Sequence, residues 1–391
     1  MRREHSSVRK NWPRIVEEQG LAYHESSHPD GLNRPYWDES AHYVFTMPEV
    51  LALEEQVEEL HRMCLTAVDH VIKERRFADF AIPLPAWPAI EASWNRRDRH
   101  ILGRFDFRYD GNGPAKLLEY NADTPTSLLE TSVIQWFWLQ DTFPDDDQWN
   151  SVHERLIEEW KSLNSQLVHF AWTNCDETGE EAMTVAYLQE TAEQAGLATM
   201  AIAMEDIGWD EAASEFADVD GTPITTIFKL YPWEWMVQDA FGGYVIDDVR
   251  APASKCAWIE PMWKMLLSNK ALLAILWELY PNHPNLLPAY LDGPRELQNY
   301  IAKPLLGREG ASMRIVGEHS QSTSGDYGTE GYVYQQFVAL PEFEQEHPVL
   351  GCWVIGDEAA GLGIRETRGL ITDDTSSFVP HRIEINNKEK K

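Results

Sequence analysis

Apolar residues recur along this chain with two different periods. Between Met47 and Arg75, Val50, Leu51, Leu53, Val57, Leu60 and Leu65 fall at helical spacing, which predicts one amphipathic helix or two. Pro83, Pro85 and Pro88 then interrupt the pattern. From Arg104 the period drops to two. Arg104, Asp106 and Arg108 alternate with Phe105, Phe107 and Tyr109, so a strand here carries charges on one face and rings on the other. Asp110-Gly111-Asn112-Gly113 supplies the left-handed backbone of a tight hairpin. A second strand is predicted from Ala115 to Ala122, with Leu117, Glu119 and Asn121 on one face and Leu118 and Tyr120 on the other. Ser127 to Gln140 reads as a helix with Leu128, Val133, Trp136 and Phe137 mostly inward, and Pro144-Asp145-Asp146-Asp147 marks a boundary.

The next stretch alternates helix and strand. A helix carrying Val152, Leu156, Trp160 and Leu163 leads to a strand near Leu167–Trp172. A second helix, about Glu180 to Ala195, leads to a strand at Ala198–Met204, and Ile224–Leu230 follows as a third strand. That βαβ order favours a parallel sheet. The acidic, Gly-containing residues 239–248 read as a loop, and a Leu-rich helix begins around Lys270. Beyond Asn282 come strands and Gly turns: Tyr300–Leu306, Met313–Val316, Tyr332–Val338, Leu350–Ile355 and Gly361–Arg365. The fold class is therefore mixed α/β (α+β). Its divisions are a loosely attached polar segment (1–35), helices plus the hairpin (36–148), an α/β unit (149–265), a strand-rich unit (266–382) and a tail (383–391).

Composition narrows the function classes. With 391 residues, 43% hydrophobic and 25% charged, the chain reads as a soluble globular protein of two or three subdomains. No apolar run is long enough for a bilayer, and the basic start has no apolar stretch behind it, so no membrane association and a cytoplasmic location are expected. Cys64, Cys175, Cys256 and Cys352 are scattered without a CxxC pair and read as reduced thiols. His24 and His28 lack a third ligand nearby and read as surface histidines. The net charge of −31 argues against a nucleic-acid partner, which needs clustered Lys and Arg. It would attract a cationic ligand such as a polyamine, although solubility or salt adaptation accounts for most of the excess more simply.

If the two strands pair, Arg104, Asp106, Glu119 and Asn121 converge on one side. Hard cations such as Mg²⁺ take such oxygen ligands, and a solvated hairpin with cross-strand ion pairs is the plainer alternative. The stretch RFDFRYDGNGPAKLLEYNADTPTS is followed in order by KLYPWEWM, SNKALLAILWELYPNHPNLLPAY, KPLLGREG and YQQF. From about Tyr36 to Pro380 the chain resembles the synthetase domain of glutathionylspermidine synthase, and most closely the short relatives provisionally described as acid–amine ligases. The resemblance implies a circularly permuted ATP-grasp-like fold with a preATP-grasp-type parallel-sheet subdomain. Glu119-Tyr120-Asn121 precedes Lys270 by about 150 residues, whereas ordinary ATP-grasp chains place the lysines first.

The same resemblance implies an ATP-dependent C–N ligase that uses Mg²⁺. It implies Asp106, Glu119 and Asn121 as metal ligands and Arg104 as the stabiliser of the transition state. Arg104, Phe105, Asp106, Lys270, Lys303, Gly310, Gln336, Ile371, Thr372 and Asp373 would surround ATP, and Thr124, Thr126, Arg308 and Arg365 would face substrate or phosphate. Gly307-Arg308-Glu309-Gly310 would close over the phosphates. Without the resemblance each lysine is a solvated charge, the glycine loop a hairpin turn and Arg365 a rim ion pair. Leu230 stands where the longer enzymes have a substrate-contacting threonine, and their Cys-containing amidase domain has no counterpart here. The implied substrates are small molecules, a peptide or amino acid as the acid and a polyamine as the amine. A nucleotide-binding sensor or partner protein that has lost ligation is the alternative.

Overall fold

The structure, a computed structural model, describes residues 1–26, 34–173, 179–373 and 375–385. Cys175 and His28 lie outside the described residues. The chain opens with β1 (Arg2–His5), then β2 (Ala41–Phe45) and the long helix α1 (Met47–Lys73). All five positions of β2 are buried, so it needs partners on both edges. β1 pairs with it antiparallel on one side. Arg9 also holds Glu39 at 2.6 Å, and the Met1 ammonium contacts Glu49. The segment expected to be loosely attached is thus tied down through its first residues. α1 is a single helix. Thr46 and Glu49 form a capping box at its start, with Pro48 in the first turn. Its buried face includes Val50, Leu53, Val57 and Leu60, while Leu51 points outward.

The predicted hairpin is β3 (Leu102–Arg108) and β4 (Lys116–Asn121). After it, Glu130–Ile134 forms a π-helical turn before α2 (Gln135–Thr142). The inserted turn shifts the helical phase. Trp138 and Leu139 enter the core and Trp136 and Phe137 face outward, opposite to the simple periodic reading. Then follow α3 (Val152–Lys161), β5 (Leu167–Trp172), α4 (Glu180–Gln194), β6 (Ala198–Ala203) and β7 (Thr226–Lys229). A helix, α5 (Gly242–Arg250), replaces the expected loop: Val245, Ile246 and Val249 make one apolar side whose burial outweighs the acidic, glycine-rich composition. β8 (Ala257–Ile259) and α6 (Ala271–Leu279) complete the middle of the chain.

The last part is strands: β9 (Ala289–Tyr290), β10 (Tyr300–Pro304), β11 (Arg314–Val316), β12 (Gln321–Ser322), β13 (Tyr332–Gln336), β14 (His347–Ile355), β15 (Glu358–Thr367), β16 (Ser377–Val379) and β17 (His381–Ile383). β17 pairs parallel with β2 and closes the sheet begun by β1. Three larger sheets carry the fold. The predicted parallel sheet has order β8-β7-β5-β6. An antiparallel sheet runs β9-β13-β10-β11-β12, and another runs β16-β15-β14-β3-β4. The hairpin is therefore the edge of a sheet whose other strands come from the far end of the chain. Among the described residues no helix is long and apolar enough to cross a membrane. Cys64, Cys256 and Cys352 are buried free thiols.

Candidate active site

Cross-strand register builds the front of the hairpin. Arg104 stands opposite Asn121 and Asp106 opposite Glu119. The register then slips, so that Phe107 faces Leu117 and Leu118 is an extra residue. This bulge corrects the expected alternation. Leu117 joins Phe105 and Phe107 in the core, and Leu118 turns with Glu119 toward a cavity. On the back face the rings of Phe105 and Tyr120 stack with centroids 3.8 Å apart, which fixes the ribbon from behind.

Basic groups from three other segments meet the front face, beside the hairpin's own Arg104. Arg104 donates to Asp106 at 2.8 Å and to the Thr126 carbonyl at 2.6 Å. Arg365 of β15 reaches the second Asp106 oxygen at 2.5 Å. Lys270, at the start of α6, donates to the Gly307 carbonyl at 2.6 Å and lies 3.3 Å from Glu119. Lys303 of β10 donates to the Leu118 carbonyl at 2.8 Å. Burial pushes the Glu119 carboxyl up, but the nearby Lys270, Lys303, Arg104 and Arg365 outweigh it and bring the group down to about 2. Burial pulls the Lys303 ammonium down to about 8.

These groups line a cavity of about 200 Å³. Its charged walls are Arg104, Lys270, Lys303, Arg308 and Arg365 against Asp106, Glu119, Glu234 and Glu309. A cation excess inside a chain of net charge −31 is a local reversal of sign. The 307–310 loop forms one rim. Gly310 has φ +69°, and a Cβ there would lie 2.6 Å from the Thr372 carbonyl oxygen, so only glycine lets the loop seat against Ile371 and Thr372. Gln336 lines the cavity, as do Thr124, Thr126, Asn121, Ile371 and Thr372. Three residues singled out from the sequence stand elsewhere. The Phe105 ring is in the core, Asp373 bonds its neighbour Thr375 at 2.6 Å, and Leu230 packs in the core cluster of Phe170 and Phe228.

Sequence reasoning missed the groups that hold these residues in place. Glu234 takes a hydrogen bond from Arg308 at 2.8 Å, and Arg308 also donates to the Thr124 hydroxyl at 3.0 Å and lies over the Trp235 ring. Lys229 donates to Asp123 at 2.7 Å, and Asp123 accepts the Trp233 N–H at 2.9 Å. The Ser268 hydroxyl accepts the N–H groups of Ala122 and Asp123. KLYPWEWM is thus an anchor for the loop after β4. A lysine within an apolar strand is the one sequence signal that points to it.

Comparison with known proteins places this arrangement. The family model described as "Glutathionylspermidine synthase preATP-grasp" matches residues 3–384. A Haemophilus influenzae protein provisionally named an acid–amine ligase is 40% identical over 93% of this chain and 94% of its own length. Trypanothione synthetase of Crithidia fasciculata is 32% identical over 84% of this chain and 54% of its own. The bifunctional glutathionylspermidine synthetase/amidase of Escherichia coli is 29% identical over 87% and 58%. The chain therefore spans little more than half the length of the latter two. Among solved structures, a glutathione synthetase-like effector from Globodera pallida superposes with TM-score 0.55 over 95% of this chain and 98% of that one. At 10% identity that likeness concerns the fold alone, and it agrees with an ATP-grasp-type architecture. By the extent of the family match and the 40% identity over nearly the whole of a relative, the chain belongs to the glutathionylspermidine synthase family.

Proposed function

We propose that this protein is an ATP-dependent ligase that joins a carboxylic acid to an amine through an acyl phosphate, on a circularly permuted ATP-grasp framework. The observation that carries the reading is the cationic cavity in an acidic chain, with a carboxylate pair set into its floor. Lys270 and Lys303 would hold ATP phosphates as point charges, and the 307–310 loop would cover them and keep water from the reacting centre. Asp106, Glu119 and Asn121 form an oxygen-only set on neighbouring strand positions, and Glu119 stays ionised far below neutral pH, which fits Mg²⁺. The ion supplies charge neutralisation for phosphate oxygens when bound.

In the first step a carboxylate oxygen of the acid bonds to the γ-phosphorus and ADP leaves. In the second the amine nitrogen bonds to the acyl carbon, sheds a proton, and phosphate leaves. Arg104 would stabilise both transition states. Three of its five N–H groups serve Asp106 and Thr126, which leaves two for charge developing in the cavity. Thr124, Thr126, Arg308 and Arg365 stand where they can orient the acid, which would be a small peptide or amino acid, and the amine would be a polyamine. The test is calorimetry with ATP, with and without Mg²⁺, followed by ADP-release assays over carboxylates crossed with amines. The expected result is ATP binding tightened by Mg²⁺, and ADP release only when both substrates are present. A protein that binds no ATP under either condition overturns the reading.

A further inference from the structure

Behind the hairpin, three distant segments bring together His61, His100 and Asp357. His61 comes from the middle of α1, His100 from the residues leading into β3, and Asp357 from the turn between β14 and β15, where Gly356 adopts φ +62°. The Asp357 Oδ1 atom lies 3.0 Å from Nε2 of His61 and 3.3 Å from Nε2 of His100. The candidate ligand atoms of all three lie within 4.8 Å of one another. A tetrahedral zinc ion with bonds of about 2.0–2.1 Å sets its donors roughly 3.3 Å apart. The two oxygen–nitrogen separations already match that spacing.

The surroundings point the same way. The second nitrogen of His61 meets the Tyr120 hydroxyl at 3.1 Å, the kind of outer hydrogen bond that fixes a ligating imidazole's orientation and tautomer. Nδ1 of His100 is buried with no hydrogen-bond partner among the described residues, and the ring packs edge-on against Trp263 with centroids 5.2 Å apart, which turns its Nε2 toward Asp357. His61 is buried and Asp357 is largely exposed at the edge of an open cleft that His100 and Trp263 also line. A fourth position facing that cleft can hold water. The nearby Lys264 ammonium is paired with Glu260 and donates to the Leu102 carbonyl. Burial first, and its charge in addition, disfavour the protonated form of both imidazoles, leaving their nitrogens available to a metal.

We propose that His61, His100 and Asp357 are a transition-metal site, with Zn²⁺ as the fitting ion, separate from the oxygen ligands on the front of the hairpin. Two imidazoles and one carboxylate suit zinc, whereas Mg²⁺ prefers oxygen alone. The ion clamps α1, the entry to β3 and the β14–β15 turn. Through Tyr120, whose ring stacks on Phe105, it steadies the ribbon that carries Arg104 and Asp106.

The test uses the full chain, stripped with a chelator and titrated with ZnCl₂ in a large excess of Mg²⁺, read by calorimetry and melting temperature. One saturable zinc per chain is expected, with a rise in melting temperature. Asp357→Asn, at an exposed turn, and His100→Gln each weaken binding at least about tenfold, the loss that even an outer partner of a metal ligand produces. Glu119→Gln binds zinc like the parent. The proposal is overturned if the parent shows no saturable zinc site. It is equally overturned if Asp357→Asn and His100→Gln bind zinc like the parent, or if the loss appears in Glu119→Gln instead.

Discussion

Four lysines of this chain are almost wholly buried around the hairpin, and they divide into two kinds. Lys229 and Lys264 are 0% exposed; Lys270 and Lys303 are 8% and 5% exposed. Lys229 is closed by Asp123 and the Tyr231 carbonyl, and Lys264 by Glu260 and the Leu102 carbonyl. Each is a finished ion pair inside packed protein. Lys303 has one carbonyl partner within hydrogen-bond reach among the described residues, and Lys270 has a carbonyl plus a longer contact to Glu119. Both line the cavity, and among the described residues neither has a carboxylate as close as the 2.7 Å between Lys229 and Asp123. Burial alone therefore does not separate the two kinds; the closeness of a carboxylate partner does.

The sharpest way to break this comparison is to remove one lysine of each kind. Lys229→Met leaves Asp123 buried beside Trp233 without its cation, and such a loss costs about 3–5 kcal/mol. Lys303→Met removes an ammonium that burial already disfavours, so stability holds or rises while ATP binding falls. Urea unfolding of the two variants measures this. Equal losses of stability would show that all four lysines are scaffold.

How much of this was legible beforehand depends on periodicity. The charged face of β3, the βαβ unit and the helix after Lys270 follow from local patterns, and the structure has all three. The bulge at Leu118 was not legible, because a register slip depends on the partner strand and not on alternation. The π-turn that sends Trp136 and Phe137 outward is hidden for a similar reason. β1 was unreadable because its pairing with β2 is decided almost forty residues away. Arg104, Asp106 and Glu119 followed from strand alternation, and Lys270, Lys303, Arg308 and Arg365 were found by a family resemblance. The pairs Lys229–Asp123 and Arg308–Glu234 were not, since nothing local links positions 106 and 74 residues apart.

A second test separates ground-state holding from catalysis within the cavity. Arg104→Ala leaves Lys270, Lys303 and Arg365 in place, so MgATP affinity changes little. Turnover falls about 10²–10³-fold, the usual effect of losing one preorganised donor to developing charge. The Michaelis constant does not rise to match. Affinity by calorimetry and turnover on the same preparation decide it, and normal turnover would reduce Arg104 to a strand ion-pair partner of Asp106.

The smallest expected effect is one of pH, and it sharpens the contrast because two observables move in opposite directions. In the folded chain burial lowers the Lys303 ammonium from the ordinary 10.5 to about 8. Phosphate binding favours the charged form and raises it again in the complex. ATP affinity is therefore full below about pH 8 and falls above it, by up to about tenfold per pH unit until the bound group also titrates. Stability without ATP runs the other way. Between about 8 and the ordinary lysine value the unfolded chain holds more protons than the folded one, so the Lys303 contribution to stability rises with pH. Lys303→Arg keeps a charge that does not titrate in this range, and both slopes flatten. Calorimetry from pH 7 to about 9.5 on parent and variant, paired with urea unfolding in the same buffers, supplies both readings. A parent whose ATP affinity stays level across that range, or a Lys303→Arg protein that keeps the parent's fall, would mean that the Lys303 ammonium does not meet the phosphates.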